Sequence, residues 1–144
     1  MKVRRGFTLV EIMVVVGIVA LLAAIAIPNA LRMRVNANES VALQGMRTIQ
    51  NACQVYLMDN GFFPEDLGGL AEPIEHPPYI DAVLGSGRKQ GYEFVFSLVD
   101  DGHFTLNANP LAGVFRGRYF YTDESGVIHA NSEVPAGVDD EIVK

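Results

Sequence analysis

Residues 7–28 read FTLVEIMVVVGIVALLAAIAIP. The 16 residues from 12 to 27 are all apolar, counting Gly17, and the block reaches 21 when extended back to Phe7, broken only by Thr8 and Glu11. At about 1.5 Å per residue, a helix of that length reaches roughly 31 Å, enough to cross a hydrocarbon core of about 30 Å. Lys2, Arg4 and Arg5 stand directly before it and give the first six residues a charge of +3. Such a flank favours keeping the N-terminus in the cytoplasm, with everything after the block outside. The chain as a whole, 144 residues, carries −6, so the part beyond residue 6 carries −9. That balance disfavours binding to a phosphate backbone, which needs a basic footprint. A hydrophobic content of 49% excludes a disordered chain. Cys53 is the single cysteine, so neither an intramolecular disulfide nor a cysteine-based zinc site can form.

Glu11 is the anomaly in this block. A carboxylate in an apolar span costs roughly 2.5–3.5 kcal/mol at mid-helix and less near the interface. A secretory signal peptide, for which Ala24-Ile25-Ala26 offers a cleavage pattern, gives no reason to bear that cost. A plain signal anchor gives none either. A positive partner arises if the chain is cut between Gly6 and Phe7. The new α-amino group of Phe7 is then a cation four residues from Glu11. A neighbouring copy shifted along the axis can set its Phe7 amine against this Glu11. Breaking one member of such a pair leaves an uncompensated charge, at roughly 3–5 kcal/mol.

The run Lys2-Val3-Arg4-Arg5-Gly6-Phe7-Thr8-Leu9-Val10-Glu11, with the apolar stretch to Pro28, resembles the processing motif of type IV pilins and type II secretion pseudopilins. The resemblance implies a prepilin peptidase that cuts after Gly6 and methylates the Phe7 amine. It implies that Glu11 is the assembly carboxylate used when subunits enter a helical filament. It also implies a precursor in the bacterial inner membrane with its head outside, and a mature form in a periplasmic or extracellular filament. The partners it implies are other pilin-like subunits, self or related, and an inner-membrane assembly platform. The expected function is that of a structural subunit, of a type II secretion pseudopilus first and of a type IV pilus as the alternative. A binding domain released by signal peptidase near Ala26 or Ala30 is the rival from a different class.

Pro28 predicts a kink, since proline removes a helix hydrogen bond and crowds the preceding turn; the resemblance makes it a bend rather than an end. Leu31, Val35, Ala42, Met46, Ile49, Cys53 and Tyr56 then follow helical spacing, with Glu39 and Arg47 among the residues off the stripe. Asp59-Asn60-Gly61 reads as the helix end, with Gly61 free to take a left-handed cap. The expected organisation is a leader, 1–6, which is removed, a membrane and filament-core helix, 7–27, an amphipathic continuation, 28–60, and a head, 61–144. Within the head, short helical turns are expected around 65–70 and 80–84. Strands are expected at 92–99, from Phe104 towards Asn109-Pro110, at 118–122 and at 127–130, with Asp100-Asp101-Gly102 as a hairpin turn. The fold class is α+β, a long N-terminal helix packed on a small antiparallel sheet of three to four strands, as in pilins.

The acidic tail from 131 onward, with Glu133, Asp139, Asp140 and Glu141, reads as a solvated terminus. Asp123-Glu124-Ser125 and Asp139-Asp140 supply oxygens that could suit calcium, but their spacing fits no loop, and no metal or other cofactor is assigned. His76, His103 and His129 share no ligand or catalytic spacing and read as surface or edge residues. No residue is assigned to catalysis. Cys53, on the helix stripe, reads as a small buried apolar residue.

Overall fold

A computed structural model describes residues 7–73, 76–111, 113 and 116–143. The chain divides into two units, residues 1–34 and residues 35–144. Helix α1, Leu9–Asn60, contributes to both. Pro28 lies inside it, and the helix continues past this residue rather than stopping there.

In the first unit, the described side chains are exposed almost throughout, Phe7 at 80% and Val16 at 59% among them. Apolar residues occupy every face of this stretch, the mark of a helix whose solvent is lipid or other helices. It is long and apolar enough to cross a membrane. Leu31, placed on the packing stripe by its spacing, is 57% exposed and belongs to this unit, not to the head's core.

The second unit has a core of its own. Ala42, Met46, Ile49 and Cys53 are fully buried on α1, as their spacing predicts. Gly45 and Gln50 are buried with them, for reasons outside the apolar pattern. At Gly45 the ring of Phe94 packs so closely that an added Cβ would lie 2.8 Å from it. Gln50 donates from its amide to the hydroxyl of Thr122, which in turn donates to the carbonyl of Val127 at 2.8 Å. The helix ends at Asn60, and Gly61 takes φ +84°, its N–H donating to the carbonyl of Leu57. Two short helices follow, α2 at Leu67–Ala71 and α3 at Ala82–Gly85, each capped by an aspartate, Asp66 and Asp81, that accepts from the N–H three residues on.

The sheet has six strands in sequence order, β1 Arg88–Lys89, β2 Tyr92–Asp100, β3 His103–Pro110, β4 Tyr119–Asp123, β5 His129–Asn131 and β6 Glu141–Ile142. All neighbours pair antiparallel. The four inner strands are those expected from alternation, shifted by a residue or two. The count of three to four was low because β1 and β6 are two residues long and carry no period of their own. Tyr92, Phe94, Phe104, Leu106 and Phe120 turn one face of the sheet to the core. Phe104 stacks on Phe96 with centroids 5.3 Å apart and meets Phe63 edge-on at 5.0 Å. The turn between β2 and β3 is closed by Gly102, whose N–H donates to the Asp100 carboxylate.

Candidate functional site

The helix start contains the feature that matters most. Leu9 is the first residue of α1, which makes Thr8 its cap. The N–H and the hydroxyl of Thr8 both donate to Oε2 of Glu11 at 2.9 Å, and the N–H of Glu11 donates back to the Thr8 hydroxyl at 3.3 Å. This is a capping box, threonine and glutamate three apart satisfying each other's backbone donors. Its contribution is modest in water and grows where no water is available to take an orphaned N–H. Glu11 thus has a local role that its charge alone did not suggest. Both Thr8 bonds fall on one carboxylate oxygen. Among the described residues no hydrogen bond falls on the other, Oε1. Phe7 is largely exposed beside it. Gly6 and the basic residues before it lie outside the described residues.

Glu39, off the apolar stripe, is held in the second unit. Its side chain is 12% exposed and accepts from the N–H and the guanidinium of Arg118, each at 3.0 Å. Arg118 lies over the ring of Phe120, 5.5 Å from its centroid, and its carbonyl accepts from the Tyr92 hydroxyl at 2.9 Å. Helix α1 is thereby tied to the residue that leads into β4. Nothing in the linear pattern marks Glu39 as the partner of a residue 79 positions away.

The histidines divide. His76 and His103 are exposed. His103 contacts Asp100 at 2.6 Å and Glu124 at 3.8 Å. The hydrogen bond and charge of Asp100, then the charge of Glu124, hold its pKa above the ordinary histidine value. His129, expected at the surface or edge, is instead buried at 8% exposure, because β6 covers β5. Its Nδ1 lies 2.9 Å from the Asp140 carbonyl and so carries the proton. The tail that brings β6 there is not simply solvated. The Asp140 carboxylate accepts from the Asn131 amide at 2.8 Å and from the Gly137 N–H at 2.7 Å. The Asp123 carboxylate likewise accepts from the Ser125 N–H. These carboxylates close their own turns, and among the described residues no three His, Cys, Asp or Glu side chains gather as a metal would require. Cys53 is buried in the core, and desolvation pushes its thiol up to about 12.

The family model described as "Prokaryotic N-terminal methylation motif" matches residues 1–27, the segment that holds Phe7, Thr8 and Glu11. This motif and the similarity to core protein G support a place for the chain in the pilin and pseudopilin family. It is 34% identical over 89 residues to the type II secretion system core protein G of Escherichia coli K12, a match covering 62% of this chain and 61% of that protein. It is 35% identical over 77 residues to the core protein G of Vibrio cholerae, covering 54% and 53%. The type IV wide pilus major component PilA4 of Thermus thermophilus matches at 34% over 70 residues, covering 49% and 53%. The chain thus spans about half to three fifths of the length of these curated relatives. In this pilin-like chain the helix start is the candidate site. The sequence singled out Phe7 and Glu11, and the structure adds Thr8 as the residue that fixes where the Glu11 carboxylate points. The signal for it was available, since threonine followed three residues later by glutamate before an apolar run marks a helix start.

Proposed function

We propose that this chain is a structural filament subunit, cut between Gly6 and Phe7 by a prepilin peptidase and methylated on the Phe7 amine. Its apolar helices pack side by side in the filament core, Pro28 bends the helix between its two halves, and the heads form the outer surface. The observation that carries this reading is the half-satisfied carboxylate. Glu11 sits in an exposed, all-round apolar helix, with one oxygen held by Thr8 and no hydrogen bond on the other among the described residues. The Phe7 ammonium of a neighbouring copy is the cation that fits it. Two charges are then neutralised together, and only assembly achieves this. Between helices already in lipid there is no hydrophobic drive, so close packing and this charge pair supply the association.

The filament is that of a type II secretion pseudopilus, which drives protein export, and its precursor resides in the inner membrane with the head outside. The matches to core protein G in two organisms support this choice. The match to PilA4 supports the alternative, a type IV pilus subunit. The subunit is a substrate of the peptidase and methylase and a client of an inner-membrane assembly platform, with no catalysis of its own. The excess of 16 acidic over 6 basic side chains in residues 36–144 disfavours nucleic acid as a partner.

The mass and N-terminal residue of the mature chain, made in its host, test the reading. N-methyl-Phe7 is expected. A terminus near Asn29 or Leu31 would overturn it in favour of an ordinary exported domain. Glu11→Gln then separates cap from charge, because an amide oxygen still accepts from Thr8 but carries no charge. Processing to Phe7 with filaments lost is expected. Wild-type filament yield would sink the charge pairing.

A further inference from the structure

Within the head, a cleft of about 540 Å³ opens beside the end of α1, lined by Tyr56, Asn60, Asp66, Gly68, Glu72 and His76. Its aromatic wall is braced from behind. Tyr56 meets Phe62 and Tyr79 edge-on at 5.9 and 5.5 Å, and the Tyr79 hydroxyl donates to Asp59 at 2.9 Å. Asp66 and Glu72 make its rim acidic, and Glu72 is exposed with no side-chain hydrogen bond or ion pair among the described residues. An aromatic face beside a carboxylate is a receptor for a guanidinium, which stacks on one and forms a forked pair with the other.

The same chain carries the complementary group. Arg32 and Arg34 are exposed and make no ion pair or hydrogen bond among the described residues. On the filament reading above, on which this inference rests, they stand just past the membrane span on the exported side. That position runs against the usual placement of Lys and Arg on the cytoplasmic side of a span. An exported, strongly acidic set of heads supplies a reason for them. We propose that the Arg32–Arg34 segment of a second copy docks in the acidic, aromatic-walled cleft at the end of α1. Residues two apart on a helix face different ways, so one arginine enters a given cleft and the other addresses a different neighbour. The two surfaces are distinct patches of one chain, so the contact is heterologous and repeats without closing, as a filament requires.

The test uses the full chain in its host. The variant Arg32→Glu/Arg34→Glu should be processed to Phe7 normally while filament yield falls about tenfold, as for loss of a close charge pair across an interface. Adding Glu72→Arg should restore most of that yield. In a Cys53→Ala background, Glu72→Cys combined with Arg32→Cys or with Arg34→Cys should give disulfide-linked ladders from intact filaments. Wild-type yield from the charge-reversed variant overturns the contact and leaves the filament reading standing. Loss of membrane insertion before assembly, without rescue by Glu72→Arg, assigns the arginines to lipid headgroups and also overturns it. A parent chain that forms no filaments overturns the filament reading, and the contact with it.

Discussion

The two units of this chain use similar apolar residues to opposite ends. Residues 35–144 turn Met46, Ile49, Phe94, Phe104 and Phe120 inward and bury them almost completely. Residues 7–34 leave Val16, Ile18, Leu21 and Ile25 more than half exposed. A head with a core is finished as a monomer. A helix that is apolar on every side is finished only by lipid or by other copies. The difference is set by pattern rather than composition, for the head alternates apolar and polar positions while the helix does not. Fold stability is therefore carried by the core of residues 35–144, and mutations within 7–34 should leave it nearly unchanged.

Phe104→Ala puts this division of labour to its severest test. Phe104 lies between Phe63 and Phe96 at 1% exposure, and its truncation should cost the head about 3–5 kcal/mol. Ile18→Ala should change head stability by less than about 0.5 kcal/mol, as surface substitutions do, while reducing filament yield. Denaturant unfolding of the detergent-solubilised full chain, followed by tyrosine fluorescence from the head, checks both. Equal destabilisation by the two would mean that the units do not divide the work.

Weaker responses are expected from polar contacts inside the head. Thr122→Val strands the Gln50 amide in the core and should cost about 1–3 kcal/mol in the same measurement. Glu39→Gln retains oxygen for the Arg118 N–H but removes the charge, and should cost about 1 kcal/mol because the guanidinium is partly in water. The least effect belongs to the His103–Asp100 pair at the β2–β3 turn. Its histidine has a raised pKa, so its contribution is complete below the unfolded value of about 6.5 and fades as pH rises through the folded one. Asp100 is lowered, chiefly by the Gly102 N–H and then by His103, so its contribution is present above the unfolded value of about 3.9 and fades as pH falls through the folded one. The turn should be firmest between about pH 4 and 6.5. An NMR titration should place the His103 midpoint above the ordinary histidine value. A midpoint at or below it would show that the pair does not form.

Periodicity makes the main architecture legible in the sequence. The stripe from Ala42 to Cys53, the alternation from Tyr92 to Leu98 and the cap at Gly61 each report a local rule that tertiary packing respects. What escaped was relational. Arg88-Lys89 and Glu141-Ile142 are strands only because a neighbour offers them hydrogen bonds. His129 is buried by a tail that returns to cover it. Gly45 and Gln50 are core residues because of Phe94 and Thr122, far along the chain. At the candidate site, one misplaced charge points to Phe7 and Glu11, whereas Thr8, which the structure ties to Glu11, is marked only by the threonine–glutamate spacing.

The shortness of the two outermost strands bears on how such heads tolerate one another. A filament holds its heads at very high local concentration, where exposed backbone donors and acceptors on a long, flat strand would recruit the next sheet and fuse heads in the wrong register. Here the outermost strands are two residues each, charged on one side as Arg88-Lys89 and half-charged on the other as Glu141-Ile142, but β1 pairs only with Tyr92 and Glu93, so the outer edge of β2 beyond Phe94 has no strand beside it among the described residues. The stubs are too brief to template a neighbour, so the uncovered length of β2 is where such pairing would start. On the filament reading, the outer edge of β2 is the part of the head that crowding would expose to wrong-register pairing, and its exposed Val95 and Val99 are the positions where a charge would guard it.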